Sequence, residues 1–425
     1  MHVVEEDKKY VWHPFTPLLG EQPPLPVVKA SGVWLELENG KKIIDAISSW
    51  WVNLHGHCHP HIVNAIQQQL KQLDHVIFAG FTHEPAVQLA QNLLQILPQN
   101  QTKIFFSDNG STAVEVGIKM AFQYWYNQNQ SKTNIIALEG AYHGDTFGAM
   151  SVANRDAFTA PFFPFLFETS FIPFPTAQNQ ADVIQRFEQL AESGNIAAFI
   201  YEPLVQGAAG MRMYDKNILQ QLLEIAKQHQ IICIADEVMT GFGRTLPYFA
   251  SQQISIQPDI ICMSKGITGG FLPMGATSCT EAIIEVFRQQ DILKTFFHGH
   301  SYTANPLACA AANASYELLV QSECMENRNR IAAQHQIFLQ KIATNERIIN
   351  ARSMGTILAV EVKTQQKTGY LNELRNALYY AFIAKNILIR PLGNVIYVLP
   401  PYTIQNEELQ LIYDAIEIVL NAEQL

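Results

Sequence analysis

The sequence predicts an α/β protein in which a large domain with a mostly parallel sheet is joined to a smaller α+β domain. Three observations predict it. From about residue 84 to 280, short apolar runs rich in β-branched residues alternate with helical periodicity, the pattern of a sheet covered on both faces. At 425 residues the chain exceeds what one hydrophobic core usually supports. Beyond about residue 306 the alternation gives way to a long Ala-rich helical run and then separate strands.

The elements follow in chain order. Val33–Leu37 and Lys42–Asp45 flank Asn39-Gly40, and Asn-Gly between alternating apolar residues signals a hairpin. Lys103–Ser107, Ile135–Leu138, Ala197–Tyr201, Ile231–Ala235 and Ile260–Met263 read as buried strands. Between the third and fourth, Ile218, Leu219, Leu222, Leu223, Ile225 and Ala226 form one apolar helical face. The Pro- and Phe-rich stretch Pro161–Pro175 reads as a packed loop. One helical run from Pro306 to about Lys341, strands at Thr356–Val362, Ile387–Arg390 and Val395–Leu399, and a helix from about Asn406 to Leu420 complete the pattern. The expected division is a large domain at 56–305 and a small domain formed by 1–55 and 306–425.

Composition narrows the function. Hydrophobic residues make up 48% of the chain and charged residues 16%, as in a well-buried enzyme. The formal charge of -10 and the lack of a basic run interleaved with aromatics argue against a nucleic-acid surface. No apolar stretch approaches the roughly 18 residues of a spanning helix, and the N-terminal stretch is polar. The six cysteines form no C-x-x-C pair, so a reduced, cytoplasmic protein is expected. The low charged fraction leaves apolar surface that a homo-oligomeric interface would cover.

Two strand ends carry the chemistry. Ile231-Ile-Cys-Ile-Ala-Asp-Glu-Val238 delivers Asp236, and Asp259-Ile-Ile-Cys-Met-Ser-Lys-Gly266 delivers Lys265. In an open α/β sheet the ligand crevice lies outside the carboxyl ends of the strands, so both groups enter one crevice. An amine can form a Schiff base with an aldehyde cofactor, and a buried carboxylate can hold a pyridinium nitrogen protonated. The pair therefore suggests pyridoxal phosphate. Taken singly, Lys265 also reads as a solvated strand-end lysine and Asp236 as a helix cap.

Other segments fit beside that pair. Lys103–Thr112, leading into a helix, offers free N–H groups and a positive helix end to a phosphate, with Gly110 for close approach and Ser111 and Thr112 as hydroxyl donors; an ordinary N-cap reads the same way. Tyr142, in Tyr142-His143-Gly144-Asp145, can lie flat on a cofactor ring or pack in a turn. Glu202 and Glu237 end strands and could bond near the cofactor or hold Arg244. The histidines of His55-Gly-His-Cys-His-Pro-His61 suit zinc as ligands, but they crowd into seven positions where structural sites draw pairs from separate segments. A loop entering the next helix, with no metal, is expected there. Trp50 and Trp51 could wall a long apolar substrate, or one of them could simply pack in the core. Arg390 could grip a substrate carboxylate through its donor fork, or pair at the surface.

Read jointly, the chain resembles the fold-type I pyridoxal-phosphate enzymes, in the subgroup of ω-amino-acid and ornithine aminotransferases, over nearly its whole length. The segments that carry the resemblance are Trp12-His-Pro-Phe-Thr16, Ser48-Ser-Trp-Trp51, Tyr142–Ser151, Val205-Gln-Gly207, Gly210-Met-Arg-Met-Tyr214, Asn305–Ser315, Arg390-Pro391 and Tyr397-Val-Leu-Pro-Pro401. Within the subgroup the resemblance is to the biotin-pathway branch. It implies transamination of 8-amino-7-oxononanoate to 7,8-diaminononanoate, with S-adenosylmethionine as amino donor.

The resemblance also implies roles. Lys265 would bind the pyridoxal 5'-phosphate aldehyde and shuttle the proton, Asp236 would contact the ring nitrogen, and Tyr142 would stack on the ring. Gly110 and Ser111 would hold the phosphate. Phe15, Trp50, Tyr142, Lys265, Gly299 and Arg390 would shape the substrate pocket, with Arg390 near the carboxylate. Gly299, His300 and Ser301 would reach into the site of a neighbouring copy, Ser301 touching its phosphate, which implies a homodimer with shared sites. Two features depart from the adenosylmethionine-using pattern. Phe15 stands where a tyrosine follows His-Pro, and Lys294–Tyr302 is closer to the lysine-using relatives. Lysine as donor and another ω-aminotransferase activity are the alternatives, with a cofactor-free Schiff-base lyase or a binding protein outside the class.

Overall fold

A computed structural model describes residues 3–19 and 23–422; Met1 and His2 of the polar N-terminal stretch lie outside it. A seven-stranded sheet organises the molecule. Its strands run in the spatial order Gln101–Ser107, Gly275–Thr280, Ile260–Met263, Ile232–Asp236, Ile196–Tyr201, Asn134–Leu138 and Ser170–Ile172. The central three, Ile196–Tyr201, Ile232–Asp236 and Ile260–Met263, are buried along their whole length, which is why they read as continuous apolar runs rather than alternating ones. Gly275–Thr280 is the one strand that runs antiparallel to its neighbours. It was absent from the expected set because Gly-Ala-Thr-Ser-Cys-Thr has weak apolar character, and its pairing with two strands, not its own propensity, places it.

Helices cover both faces. Gly110–Asn127 packs its Ala113, Val114, Val116, Ile118 and Ala121 against one face, and Lys216–Gln228 buries its predicted apolar stripe on the other. Gly117 permits the first contact: a Cβ there would stand 2.9 Å from Cys262 Sγ. The fold is thus α/β with a mostly parallel sheet.

Three smaller sheets complete it, one of them the two-stranded pair Val205–Gln206 and Arg212–Met213. The predicted hairpin pairs Trp34–Leu37 with Lys42–Asp45, and Ile387–Leu388 joins it in parallel register, Leu388 opposite Asp45. Ile348–Met354, Ile357–Val362 and Val395–Val398 form an antiparallel sheet. The run expected as one helix from Pro306 is two, Pro306–Leu319 and Ser322–Ile342, broken at Val320-Gln321. The Pro161–Pro175 loop holds a 3-10 turn at Ala160–Phe165 and a short strand, and it leaves Phe162, Phe163 and Phe165 exposed rather than packed. Among the described residues no helix is long and apolar enough to cross a membrane.

Candidate active site

The carboxyl ends of the parallel strands converge as the strand pattern requires. Asp236 ends one strand, Ser264 and Lys265 follow its neighbour, and Glu202 follows the strand on the other side. Lys265 has a left-handed backbone, φ 48°, a conformation that non-glycine residues keep only where the surroundings enforce it. Its amine lies 4.3 Å from the centre of the Trp51 ring. Burial lowers its pKa to about 8, against the opposing pull of Asp236 and Glu202.

Asp236 is held on two sides. Its Oδ2 lies 2.7 Å from His143 Nδ1, and its Oδ1 accepts from the Val238 N–H at 3.0 Å. His143 stood in the Tyr142–Asp145 segment with no role assigned, because a pairing across 93 residues leaves no trace in local spacing. The Nε2 of His143 is buried without a partner among the described residues. Glu202 accepts from the N–H groups of Tyr142 at 3.1 Å and Gly207 at 2.8 Å. Burial raises its pKa to about 7, so this carboxyl is poised near neutrality. The Tyr142 hydroxyl donates to Asp145 Oδ2 at 2.9 Å, which fixes the ring at the mouth of the crevice.

Residues Ser107–Thr112 make the strand-to-helix turn. Asn109 caps the helix, accepting from Thr112 N–H through Oδ1 and from Ala113 N–H through its carbonyl, each at 3.0 Å. The N–H groups of Gly110 and Ser111 have no protein acceptor among the described residues, and Ser111 Oγ accepts from Asp145 N–H at 3.2 Å. Two free donors at the positive end of an 18-residue helix suit a phosphate. Those donors, the desolvated amine and the oriented carboxylate are a donor set that fits pyridoxal phosphate.

Ser48–Trp51 forms a left-handed helical turn, with φ of 52°, 46°, 75° and 76°. Each such L-residue costs roughly 1–2 kcal/mol, so four in succession persist only under external restraint. The turn sends the two tryptophans different ways. Trp51 is buried and covers the Lys265 amine. Trp50 is half-buried, 4.9 Å from the Arg390 guanidinium and 5.6 Å, edge to face, from Phe15. Arg390 Nε is buried and unpartnered among the described residues.

Several expected partners separate. Arg244 does not meet Glu202 or Glu237. It donates to the carbonyls of Pro400 at 2.8 Å, Asn53 at 3.2 Å and Trp51 at 3.4 Å, bracing the tryptophan turn. Glu237 faces away from the crevice and accepts from Thr240 Oγ1 and from the Ala250 and Ser251 N–H groups. The histidines of the 55–61 stretch go to separate partners: His55 to Ser315, His57 to Asp45, and His61 to Glu317, while His59 caps the helix Pro60–Leu70. Gly299 and Ser301 are exposed and lie on a loop whose Phe297 and Tyr302 are each 65% exposed. Lys119 of the helix Gly110–Asn127 donates to the Phe297 carbonyl at 3.3 Å and lies 3.1 Å from His298 Nδ1, while His300, Tyr302 and Thr303 bond among themselves.

A mostly parallel α/β sheet presenting a lysine, a carboxylate and a helix-end phosphate cradle at its carboxyl edge defines a fold-type I transferase. Residues 19–420 match the family described as Aminotransferase class-III, and the chain belongs to that family. It is 50% identical over 420 residues to the adenosylmethionine-8-amino-7-oxononanoate aminotransferase of Synechococcus elongatus, covering 97% of this chain and 98% of the relative. The Geobacter sulfurreducens protein of the same name is 38% identical, with coverages of 97% and 95%. The structure of adenosylmethionine-8-amino-7-oxononanoate aminotransferase from Methanocaldococcus jannaschii superposes with a TM-score of 0.94 at 32% identity, covering 100% and 99% of the two chains. A PLP-bound amine transaminase from an uncultivated Pseudomonas species superposes at 0.90 with 28% identity, covering 96% and 97%.

Proposed function

We propose that this aminotransferase converts 8-amino-7-oxononanoate to 7,8-diaminononanoate in biotin biosynthesis, with pyridoxal 5'-phosphate as cofactor and S-adenosylmethionine as donor. One observation carries the acceptor assignment. Arg390 stacks on Trp50 while the adjacent Trp51 covers the Lys265 amine, so an aromatic wall separates a carboxylate grip from the reacting nitrogen. An acceptor with an apolar chain between its carboxylate and its amino ketone matches that layout. The names of the relatives support the same reading.

When bound, the cofactor supplies an aldehyde to accept the amino group and a ring to draw off an electron pair. In this reading Lys265 holds the cofactor and, once freed, moves the proton at the reacting carbon. Asp236, oriented by His143, keeps the ring nitrogen protonated, and Tyr142 covers the ring. Gly110 and Ser111 hold the phosphate. Phe15, Trp50 and Gly299 border the substrate, and Arg390 binds its carboxylate. A homodimer is part of the proposal, with Gly299, His300 and Ser301 entering the other copy's site; the exposed Phe297 and Tyr302 support it. The expected division into 56–305 and 1–55 with 306–425 is retained, supported by the sheet that pairs Lys42–Asp45 with Ile387–Leu388. A cytoplasmic location completes the reading.

A donor screen tests it. Adenosylmethionine is expected to convert the purified protein from its pyridoxal to its pyridoxamine form, read from the loss of visible absorbance, and 8-amino-7-oxononanoate to reverse it. Conversion by lysine alone would reassign the donor; Phe15, whose ring meets Trp50 without a hydroxyl to offer, is the feature favouring that second reading. Failure of 8-amino-7-oxononanoate to restore the absorbance would overturn the acceptor.

A further inference from the structure

The strained tryptophan turn has a built restraint outside the pocket. Asp45 is fully buried at the end of its strand, and its carboxylate accepts three hydrogen bonds. Ser49 Oγ donates to Oδ2 at 2.7 Å, the Ile47 N–H donates to Oδ1 at 3.2 Å, and His57 Nε2 lies 2.9 Å from Oδ2. The other ring nitrogen of His57 meets Asn53 Nδ2 at 3.3 Å. These contacts grip the turn at both ends, from Ile47 before it to Asn53 after it. Asp45 also stands in register with Leu388, two residues before Arg390. Asp45 therefore holds the tryptophan turn through its carboxylate while its backbone pairs beside the strand that leads to the arginine.

A left-handed turn of four non-glycine residues is not adopted for its own stability. A carboxylate buried this deeply is kept only where its bonds are fully made. Both anomalies have one explanation. We propose that Asp45 and His57 are positioning residues that fix the Ser48–Trp51 turn, and through it the Trp50 face that Arg390 and the acceptor share. This deepens the proposed function and rests on it, since it presumes that Trp50 borders the acceptor. It also gives His57, the residue of the His-rich stretch nearest a carboxylate inside the fold, a role other than metal binding.

The test compares His57→Leu, which removes the bond to Asp45, with His57→Gln, whose amide can still donate to it. A gentler Ser49→Ala removes one bond only. On holoenzyme, His57→Leu is expected to raise the acceptor KM about tenfold while kcat per loaded site stays within about threefold, the pattern of lost substrate binding. Ser49→Ala should shift KM in the same direction by less, and His57→Gln should stay near the parent. On the cofactor-free protein, His57→Leu should change tryptophan emission, and that change should vanish in a Trp50→Phe background. A lowered melting temperature with unchanged KM and emission overturns the proposal, as does His57→Gln behaving like His57→Leu. Trp50→Ala serves as the separate check: an unchanged acceptor KM there sinks the underlying reading of the pocket instead.

Discussion

Lys265 is governed by its burial. A lysine amine in water ionises near 10.4, and desolvation here brings it to about 8. The neutral amine is the nucleophile toward an aldehyde. The rate of pyridoxal-phosphate loading onto the cofactor-free protein should therefore rise about tenfold between pH 7 and 9 and level off above pH 9, measured by stopped-flow absorbance. A rate still climbing steeply at pH 10 would show an unperturbed lysine. Lys265→Ala should lower turnover by about a thousandfold or more, the scale of a lost acid–base group; near-parental activity would refute its role. His143→Leu leaves Asp236 with the Val238 N–H as its remaining partner, and a drop in kcat of about tenfold or more is expected. At this scale Lys265 and Asp236 were legible because each ends a diagnostic strand. His143 was not, because its partner is distant in sequence and its neighbours carry no periodic signal.

The helix start and its supporting strand form the element that would receive the phosphate in the proposed function. Gly275 opens the antiparallel strand opposite Ser107, and a Cβ there would strike the Asn109 carbonyl. Gly275→Ala should push the 107–110 turn outward and weaken cofactor retention, measured by dialysis against cofactor-free buffer; unchanged retention would show that the turn absorbs the methyl group. Asn109→Ala should cost about 1 kcal/mol of stability through the lost cap, read by urea denaturation. The strand–turn–helix was readable from Lys103–Thr112, since Asn109 and Gly110 signal a cap on their own. The antiparallel partner was not readable, because strand pairing and not propensity defines it.

Across the whole molecule, two buried histidines set the response to acid. His55 is lowered to about 3 by burial, with His59 adding to the shift, and His335 to about 4, again by burial. The unfolded chain takes up both protons below about pH 6.5, whereas the fold refuses them until about 4 and 3. The unfolded state thus binds more protons in that window, so stability is full above about 6.5 and falls as pH drops through it. Glu202 works in the opposite sense: with its pKa raised to about 7, the fold retains a proton that the unfolded chain releases, which favours the fold at lower pH. Glu237, also raised by burial, acts with Glu202, and His59 and His298, both lowered by burial, act with the buried pair of histidines; a net loss of stability from pH 7 to 4 is expected, measured by urea melts of the cofactor-free protein. His335→Gln should flatten part of that slope; an unchanged slope would exclude His335 as a contributor.

The sequence by itself determined the fold class and the residues at the strand ends, and it pointed to the cofactor chemistry. Buried parallel strands advertise themselves as continuous apolar runs, and in such a sheet topology dictates where their ends must meet. Only the tertiary structure decided how the tryptophans divide their work. Trp50 and Trp51 are adjacent and chemically alike, and a left-handed turn sends one to Arg390 and the other over Lys265. That turn exists because Asp45 and His57, which flank it in sequence, and the distant Arg244 hold it. Local propensity opposes the conformation, so no local reading could have found it.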